Sequence, residues 1–138
     1  MSDSTGGTYT LLLELARDVT VEVGALGPVA LDAGWYAYTG SAFGPGGFSR
    51  VDRHYELATG ERDTRHWHVD YLLGHPAVSL RGDVRSVDAD VECAVARRLD
   101  AVVPGFGCSD CDCESHLASA ADRRALETQV QAAHDSVE

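Results

Sequence analysis

The chain has 138 residues, of which 44% are hydrophobic, and this size and composition predict one globular domain rather than a disordered acidic segment. No apolar stretch approaches the roughly 20 residues of a membrane-spanning helix, and the first residues lack a signal-peptide pattern. We therefore expect a soluble, cytoplasmic protein without a membrane partner. The net charge is −11, which disfavours nucleic-acid binding unless salt screens the repulsion.

The basic residues are all arginines, and 22 acidic residues stand against 11 of them. An acidic, lysine-free surface suits a cytoplasm at molar salt, where dense carboxylates keep a protein hydrated. At about 1 M salt the Debye length is roughly 3 Å, so the charge counts only weakly against an anionic partner.

The first third of the chain predicts strands. Residues 1–6 are small and polar, and we expect them to fray. An apolar run over residues 8–15 predicts a buried strand, and clean alternation over residues 19–23 predicts a second one. Glycines and a proline predict a loop after that, with a short extended piece near residues 28–31.

A strand over residues 35–42 is predicted to end in a Gly/Pro bend, after which a helix begins. Ser49 is predicted as the N-cap of this helix, which runs over residues 49–59, with Asp52 in the position of a capping-box partner. The predicted core stripe of the helix consists of Val51, Tyr55 and Ala58.

The rest of the chain predicts a mixture of helices and one more strand. In order, these are a short helix at 66–73, a strand at 77–87 with a turn at Gly82-Asp83, a helix at 89–102, an irregular loop at 105–117 and an amphipathic helix at 121–134. Together the elements predict a single α+β domain over residues 1–138, with a small mixed or antiparallel sheet of about three to five strands flanked by helices.

Three reactive side chains are predicted to meet where the strand at 35–42 leads into the helix. Tyr38 lies on the strand, and Arg50 and His54 are four residues apart on one face of the helix. The start of a helix also favours a nearby anion. This corner is the first candidate for a site; an Arg50 that only pairs with a carboxylate such as Asp52 is the alternative.

Two segments resemble the two halves of the signature of the GIY-YIG nucleases: Gly7-Thr8-Tyr9 and Tyr38-Thr39-Gly40. Thr8 replaces the isoleucine of the signature. The chain is most similar to a small, mainly archaeal group within that superfamily, catalogued as a domain of unknown function. The segments that carry this resemblance are residues 36–42, 50–54, 66–73 and 105–117.

The resemblance implies hydrolysis of a phosphodiester in nucleic acid, most simply DNA, with one Mg²⁺ or Mn²⁺ ion. It implies a catalytic set made of Tyr9, Tyr38, Arg50 and His54. It implies Glu92, on the later helix, as the metal ligand. The residues predicted to contact the substrate are Gly40, Ser41, Arg53, His66 and His68. An anionic transition state needs a guanidinium and a hard cation, and a tyrosine could act as base only if Arg50 or the metal lowered its pKa.

Other interpretations of these residues stay open. Tyr9 and Tyr38 also suit amphipathic positions in a sheet, and Glu92 also suits a solvated helix surface. The chain contains no Asn, which some related nucleases use late in the site, so either Ser109 or Asp110 substitutes or the site is incomplete. The missing Asn and the acidic charge favour an alternative function, a nucleic-acid-binding or accessory module that does not cleave.

The segment His66-Trp67-His68 has two interpretations of equal weight. The histidines stack against a nucleotide or bind metal, or they are hydrogen-bonded neighbours of a buried Trp67. Asp70 follows as a further carboxylate near the site or as a core residue.

Four potential soft ligands lie close together in the loop at 105–117: Cys108, Cys111, Cys113 and His116. Zinc sites usually contain two separated pairs of ligands, so this compact spacing predicts a Zn²⁺ site less strongly than a packed loop, with a reactive thiol as the third possibility. Cys93 is predicted to be a core thiol. A zinc or thiol protein is thus the remaining alternative function; the oligomeric state is not indicated.

Overall fold

The structure is a computed structural model that describes most of the chain. The described residues are 6–42, 47–60, 68–87, 89, 91–100, 102–103, 106 and 115–137. Several predictions fall outside them: the expected fraying of residues 1–5, the segment that contains His66, and the loop residues Cys108, Cys111 and Cys113.

Strands come first in the described chain, and helices are inserted between them later. The strands are β1 (Gly7–Leu15), β2 (Val19–Glu22), β3 (Pro28–Leu31), β4 (Gly34–Ser41), β5 (Val78–Val87) and β6 (Leu117–Ala120). The helices are α1 (Ser49–Thr59), α2 (His68–Leu73), α3 (Glu92–Ala96) and α4 (Arg123–Val137), and a 3-10 turn at Gly24–Leu26 joins β2 to β3. This confirms the predicted α+β fold.

The main sheet has four antiparallel strands in the order β5-β1-β4-β6, and β2 and β3 form a separate hairpin. β1 lies inside the sheet and is almost wholly buried, because an apolar core lies on each of its faces. Its register sets Tyr9 opposite Gly40 of β4 and opposite Arg85 of β5. The two segments that resemble a signature are therefore neighbours in the sheet.

Two apolar cores lie on the two faces of the main sheet. Alternate residues of β1 point to opposite faces, so Leu11 and Leu13 enter one core and Leu12 enters the other. The first core also contains residues of α1, α2 and the hairpin, among them Val21, Val29, Val51, Leu57, Val69 and Leu72. The second contains residues of β4, α3, β6 and α4, among them Ala37, Val95, Ala118, Leu126 and Val130.

The predicted turn at Gly82-Asp83 is wrong, because β5 runs without interruption from Val78 to Val87. The register against β1 shifts between Leu12 and Leu13, which face Gly82 and Leu80. Arg81 is the extra residue of this irregularity. A β-bulge of this kind inserts one extra residue into a strand, here Arg81 next to Gly82, and the pairing of β5 with β1 continues on both sides of it.

The predicted cap of α1 is also wrong, although the bounds of the helix are confirmed. The N-cap is Phe48, whose side chain makes no capping hydrogen bond. The fully buried face consists of Val51, His54 and Leu57, whereas Tyr55 is half-buried. The core stripe thus lies further round the helix than its apolar residues alone indicate, because a polar imidazole takes one of its positions.

The helix predicted at 89–102 is much shorter than expected, and β6 was not predicted as a strand. α3 covers only Glu92–Ala96. Beyond it, the Val102 N–H donates to the Leu117 carbonyl at 2.8 Å, and the Asp100 carbonyl accepts from Ser119 at 3.0 Å. Backbone groups that would continue the helix are used to hold β6 instead.

The amphipathic helix predicted near the end of the chain is confirmed as α4, which begins and ends slightly later than expected. It packs on the second core with Leu126, Val130 and Ala133. Within the described residues, every helix is too short or too polar to cross a membrane.

Candidate functional site

Tyr9 and Tyr38 meet at the pairing of β1 with β4, where a glycine makes room for them. A Cβ on Gly40 would lie 2.6 Å from the Tyr9 hydroxyl oxygen and 3.1 Å from a ring carbon of Tyr38. The two ring centroids are 6.5 Å apart. Gly40, predicted to contact the substrate, therefore has a packing role: its missing side chain is what lets the Tyr9 phenol lie across β4.

The Tyr9 hydroxyl is bonded to a histidine from α1. Its oxygen lies 2.8 Å from His54 Nε2, in a buried position. On the other side of the ring, His54 Nδ1 lies 3.7 Å from Asp70 Oδ1 of α2. Asp70 Oδ2 in turn lies 3.7 Å from Arg53 Nη2. Three elements thus build one chain of polar groups, from a phenol through an imidazole to a carboxylate.

Burial is nearly complete along this chain. Tyr9 is 2% exposed, and His54 and Asp70 are fully buried. Charged or polar groups placed there lose their hydration, so they need partners within the protein. The arrangement compensates Asp70 with Arg53 and His54, so this carboxylate is both buried in the core and next to the tyrosine cluster.

Arg50 lies beside the phenol and closes the strand-to-helix corner. Its Nη1 donates a hydrogen bond to the Ser41 carbonyl oxygen at the end of β4. Its positive charge also acts on Tyr9, where it opposes a net rise of the pKa that has other causes. Arg50 and Ser41 are therefore in the same site as Tyr9, in agreement with their predicted proximity.

The phenol of Tyr9 is nonetheless harder to ionise than an ordinary tyrosine. Burial raises its pKa well above the usual value of 10.0, and Tyr38 raises it further. Arg50 opposes this, while Glu92 and Asp70 add to it. The guanidinium alone does not make Tyr9 a phenolate, so any basic role of this tyrosine needs a group that takes its proton.

The raised pKa predicts a loss of stability in alkali. A tyrosine whose pKa is higher in the folded than in the unfolded chain contributes stability below the unfolded pKa of about 10, and this contribution falls as pH rises through the folded value. For Tyr9 the expected slope is up to about 1.4 kcal/mol per pH unit. Tyr9→Phe should therefore flatten the decline in the free energy of unfolding above about pH 10, measured by urea denaturation. A parallel decline in both proteins would contradict this prediction.

Glu92 reaches the site from the opposite side of the sheet, at the start of α3. The Thr8 hydroxyl donates to the Ala89 carbonyl at 2.8 Å and accepts from the Val91 N–H at 3.0 Å, which fixes the segment before the helix to β1. The Glu92 side chain is 26% exposed. The Glu92 charge raises the Tyr9 pKa, so Glu92 lies within electrostatic range of the phenol.

His116 lies against the Glu92 carboxylate. Its Nδ1 lies 3.2 Å from Glu92 Oε2, and its backbone carbonyl accepts the Thr39 N–H of β4 at 3.0 Å. On the other ring edge, Nε2 lies 4.0 Å from the Cys93 sulfur. The imidazole predicted as a zinc ligand thus contacts the predicted metal carboxylate.

Aromatic ring contacts through Phe106 connect Tyr38 to His68 of α2. The Phe106 ring lies 6.0 Å from that of Tyr38 and 5.5 Å from that of His68. Burial lowers the pKa of the His68 imidazole. His68 is therefore brought next to the tyrosine cluster, and Phe106, which sequence reasoning missed, is the residue between them.

Within the described ranges, no cluster of three or more His, Cys, Asp or Glu residues could hold an ion. Three of the four potential zinc ligands lie outside those ranges, and so does His66, so these assignments stay predictions.

Comparison with known proteins identifies a family and nothing finer. A search of curated proteins gave no match. A search of solved structures also gave none. The profile of one family matches residues 8–138, nearly the whole chain. The chain therefore belongs to the family described as "Domain of unknown function DUF123".

Proposed function

We propose that the protein is a metal-dependent endonuclease of the GIY-YIG superfamily that hydrolyses phosphodiester bonds in nucleic acid, with DNA as the first candidate. The observation that carries the proposal is the hydrogen bond of 2.8 Å between Tyr9 and His54. It lies where the two signature-like segments pair, beside a guanidinium and a carboxylate from later elements. A buried phenol with a proton acceptor, a phosphate-binding group and a metal ligand are the parts that phosphodiester hydrolysis needs.

Arg50 would bind the scissile phosphate. A guanidinium offers planar paired donors to phosphate oxygens, and its charge offsets the charge that grows on them in the transition state. Arg50 is already oriented, because one of its amino groups is held by the Ser41 carbonyl. Such an anchored group needs little reorganisation when the substrate binds.

Tyr9 would transfer a proton rather than exist as a phenolate. As water attacks phosphorus, its proton passes to the Tyr9 oxygen while the phenolic proton passes to His54 Nε2. The bond from phosphorus to the leaving sugar oxygen breaks, and that oxygen takes a proton from solvent. His54 becomes charged, and Asp70 at 3.7 Å stabilises the charge. This route is consistent with the raised pKa of the phenol, since no free phenolate is formed.

Glu92 would hold the divalent ion, and the residues present fit this role. Mg²⁺ prefers oxygen ligands and is commonly bound by one or two carboxylates together with water and substrate phosphates. Glu92 is a partly exposed carboxylate oriented by His116 at 3.2 Å. A metal-bound His or carboxylate often has such an outer partner. When bound, the ion would stabilise negative charge on the phosphate oxygens.

Nicking of supercoiled DNA tests the proposal. Purified protein should convert supercoiled to nicked DNA with Mg²⁺ or Mn²⁺, and EDTA should prevent it. The assay should be run at low salt and at about 1 M salt, since a net charge of −11 opposes DNA binding when it is unscreened. Glu92→Gln should lose the activity, whereas Glu127→Gln, which breaks only an exposed pair with Arg123, should keep it. Cleavage that survives Glu92→Gln would contradict the assigned metal ligand.

A binding module without nuclease activity is the second candidate. The absence of Asn from the whole chain favours it, because the resemblance leads one to expect an amide late in the site. A wild-type protein that binds DNA, loses binding on Arg50→Ala and never cleaves would support this candidate and reject the nuclease.

A further inference from the structure

We propose that Arg85 binds a second phosphate of the nucleic-acid strand, beside the phosphate that Arg50 binds. This inference rests on the proposed function and identifies the substrate as a polynucleotide backbone that extends over the edge strand β5. Sequence reasoning did not include Arg85 in the site.

The sheet register places Arg85 next to the proposed catalytic tyrosine. Arg85 of β5 is directly opposite Tyr9 of β1. Opposed residues of antiparallel strands point to the same face, with Cβ atoms about 4.5–5.5 Å apart. That face is the one covered by α1, because the Arg85 guanidinium lies over the ring of Phe48, the N-cap of α1. Arg85 and Arg50 thus lie on the same side of the sheet, both close to Tyr9.

The guanidinium of Arg85 is held in one orientation. Its Nε donates to Asp83 Oδ1 at 2.8 Å, and its central carbon lies 4.9 Å from the Phe48 ring centroid. Asp83 is itself fixed, since its Oδ2 accepts the Tyr55 hydroxyl at 2.8 Å. One edge and one face of the guanidinium are therefore occupied by protein.

The remaining edge of the guanidinium is suited to phosphate. The hydrogen bond to Asp83 comes from Nε, and the two terminal amino groups make none to a described residue. The Arg85 side chain is 37% exposed. Paired N–H donors match two phosphate oxygens, and a donor that is already oriented loses less entropy on binding.

The alternative role for Arg85 is purely structural. Asp83 and Arg85 join β5 to the beginning of α1: Asp83 accepts from the Tyr55 hydroxyl in the second turn, and Arg85 lies over the ring of Phe48, the N-cap. Removing Arg85 would then loosen α1 and weaken binding of every substrate alike. The two roles differ in whether the effect depends on one phosphate of the strand.

Strands with single neutral phosphates separate these roles. We would place one methylphosphonate at each position in turn next to the scissile bond, and measure both the Kd in EDTA and the cleavage rate with Mg²⁺. In the wild type, one flanking position should weaken binding about tenfold, the effect of losing a charged hydrogen bond. In Arg85→Gln, the same position should make no difference, and Arg85→Lys should retain part of the effect.

Arg81→Gln is the matched control, because it removes the same charge from the same strand. Arg81 pairs with Glu14 at 2.9 Å and is remote in register from Tyr9. It should keep the wild-type sensitivity to the flanking phosphate. Arg85→Gln that weakens all strands equally, or a cleaving wild type with no sensitive flanking position, would overturn this inference alone. A wild type that neither binds nor cleaves would overturn the proposed function as well.

Discussion

Arg50→Lys is expected to lower kcat for DNA cleavage by roughly 10²–10³-fold, the usual cost of removing one group that stabilises transition-state charge. Lysine keeps the positive charge, but it lacks the planar pair of donors that matches phosphate oxygens. It also cannot donate to the Ser41 carbonyl and to the substrate with the same geometry. The rate should be measured at saturating DNA with Mg²⁺, so that the effect on chemistry is separated from binding.

Arg124→Lys is the control for Arg50→Lys. Arg124 is exposed on α4, on the other face of the sheet. Its substitution by lysine is the same chemical change, made away from the site. It should cleave at the wild-type rate. An Arg50→Lys protein that keeps its melting temperature and its kcat would show that the guanidinium does not act on the transition state.

Tyr9→Phe is expected to lower kcat by about 10²–10⁴-fold, the typical contribution of general acid–base catalysis. The change removes one oxygen and keeps the ring packed against Gly40, so KM should change little. His54 would lose the hydroxyl at 2.8 Å through which it takes the proton. Single-turnover cleavage, which isolates the chemical step, is the measurement that tests this.

Tyr36→Phe provides the matched control, since Tyr36 is another buried tyrosine of the same sheet, on β4. Its hydroxyl donates to the Asp32 carbonyl at 2.6 Å, outside the site. This variant should lose some stability and no activity. If Tyr9→Phe instead cleaved at the wild-type rate, a base other than the phenol would have to activate the water, and the proposed proton route would be wrong.

Most strands were predictable because their patterns are local. The apolar run of β1 and the alternation of β2 and β4 follow from burial on two faces or one. β6 was not, because Leu117–Ala120 contains small residues with little strand preference, and its pairing with β4 decides its structure. The helix predicted through residue 102 failed for the same reason, since its backbone pairs with β6.

The site was predictable where chemistry and spacing coincide. Arg50 and His54 share a helix face, and the resemblance places Tyr9 beside them. Asp70 was uncertain because its partnership depends on how α2 packs on α1, which sequence spacing does not contain. Phe106 lies among glycines in a segment without periodicity, so its place beside Tyr38 was not predictable.

The hydroxyl of Thr8 has a consequence for how the site opens and closes. It bonds β1 to the segment before α3 through Ala89 and Val91. Thr8 is adjacent to Tyr9 in the chain, and Val91 is adjacent to Glu92. Local opening of a protein occurs in cooperative units joined by such contacts. Tyr9 and Glu92 therefore belong to one unit, and a fluctuation that displaces one of them is expected to displace the other.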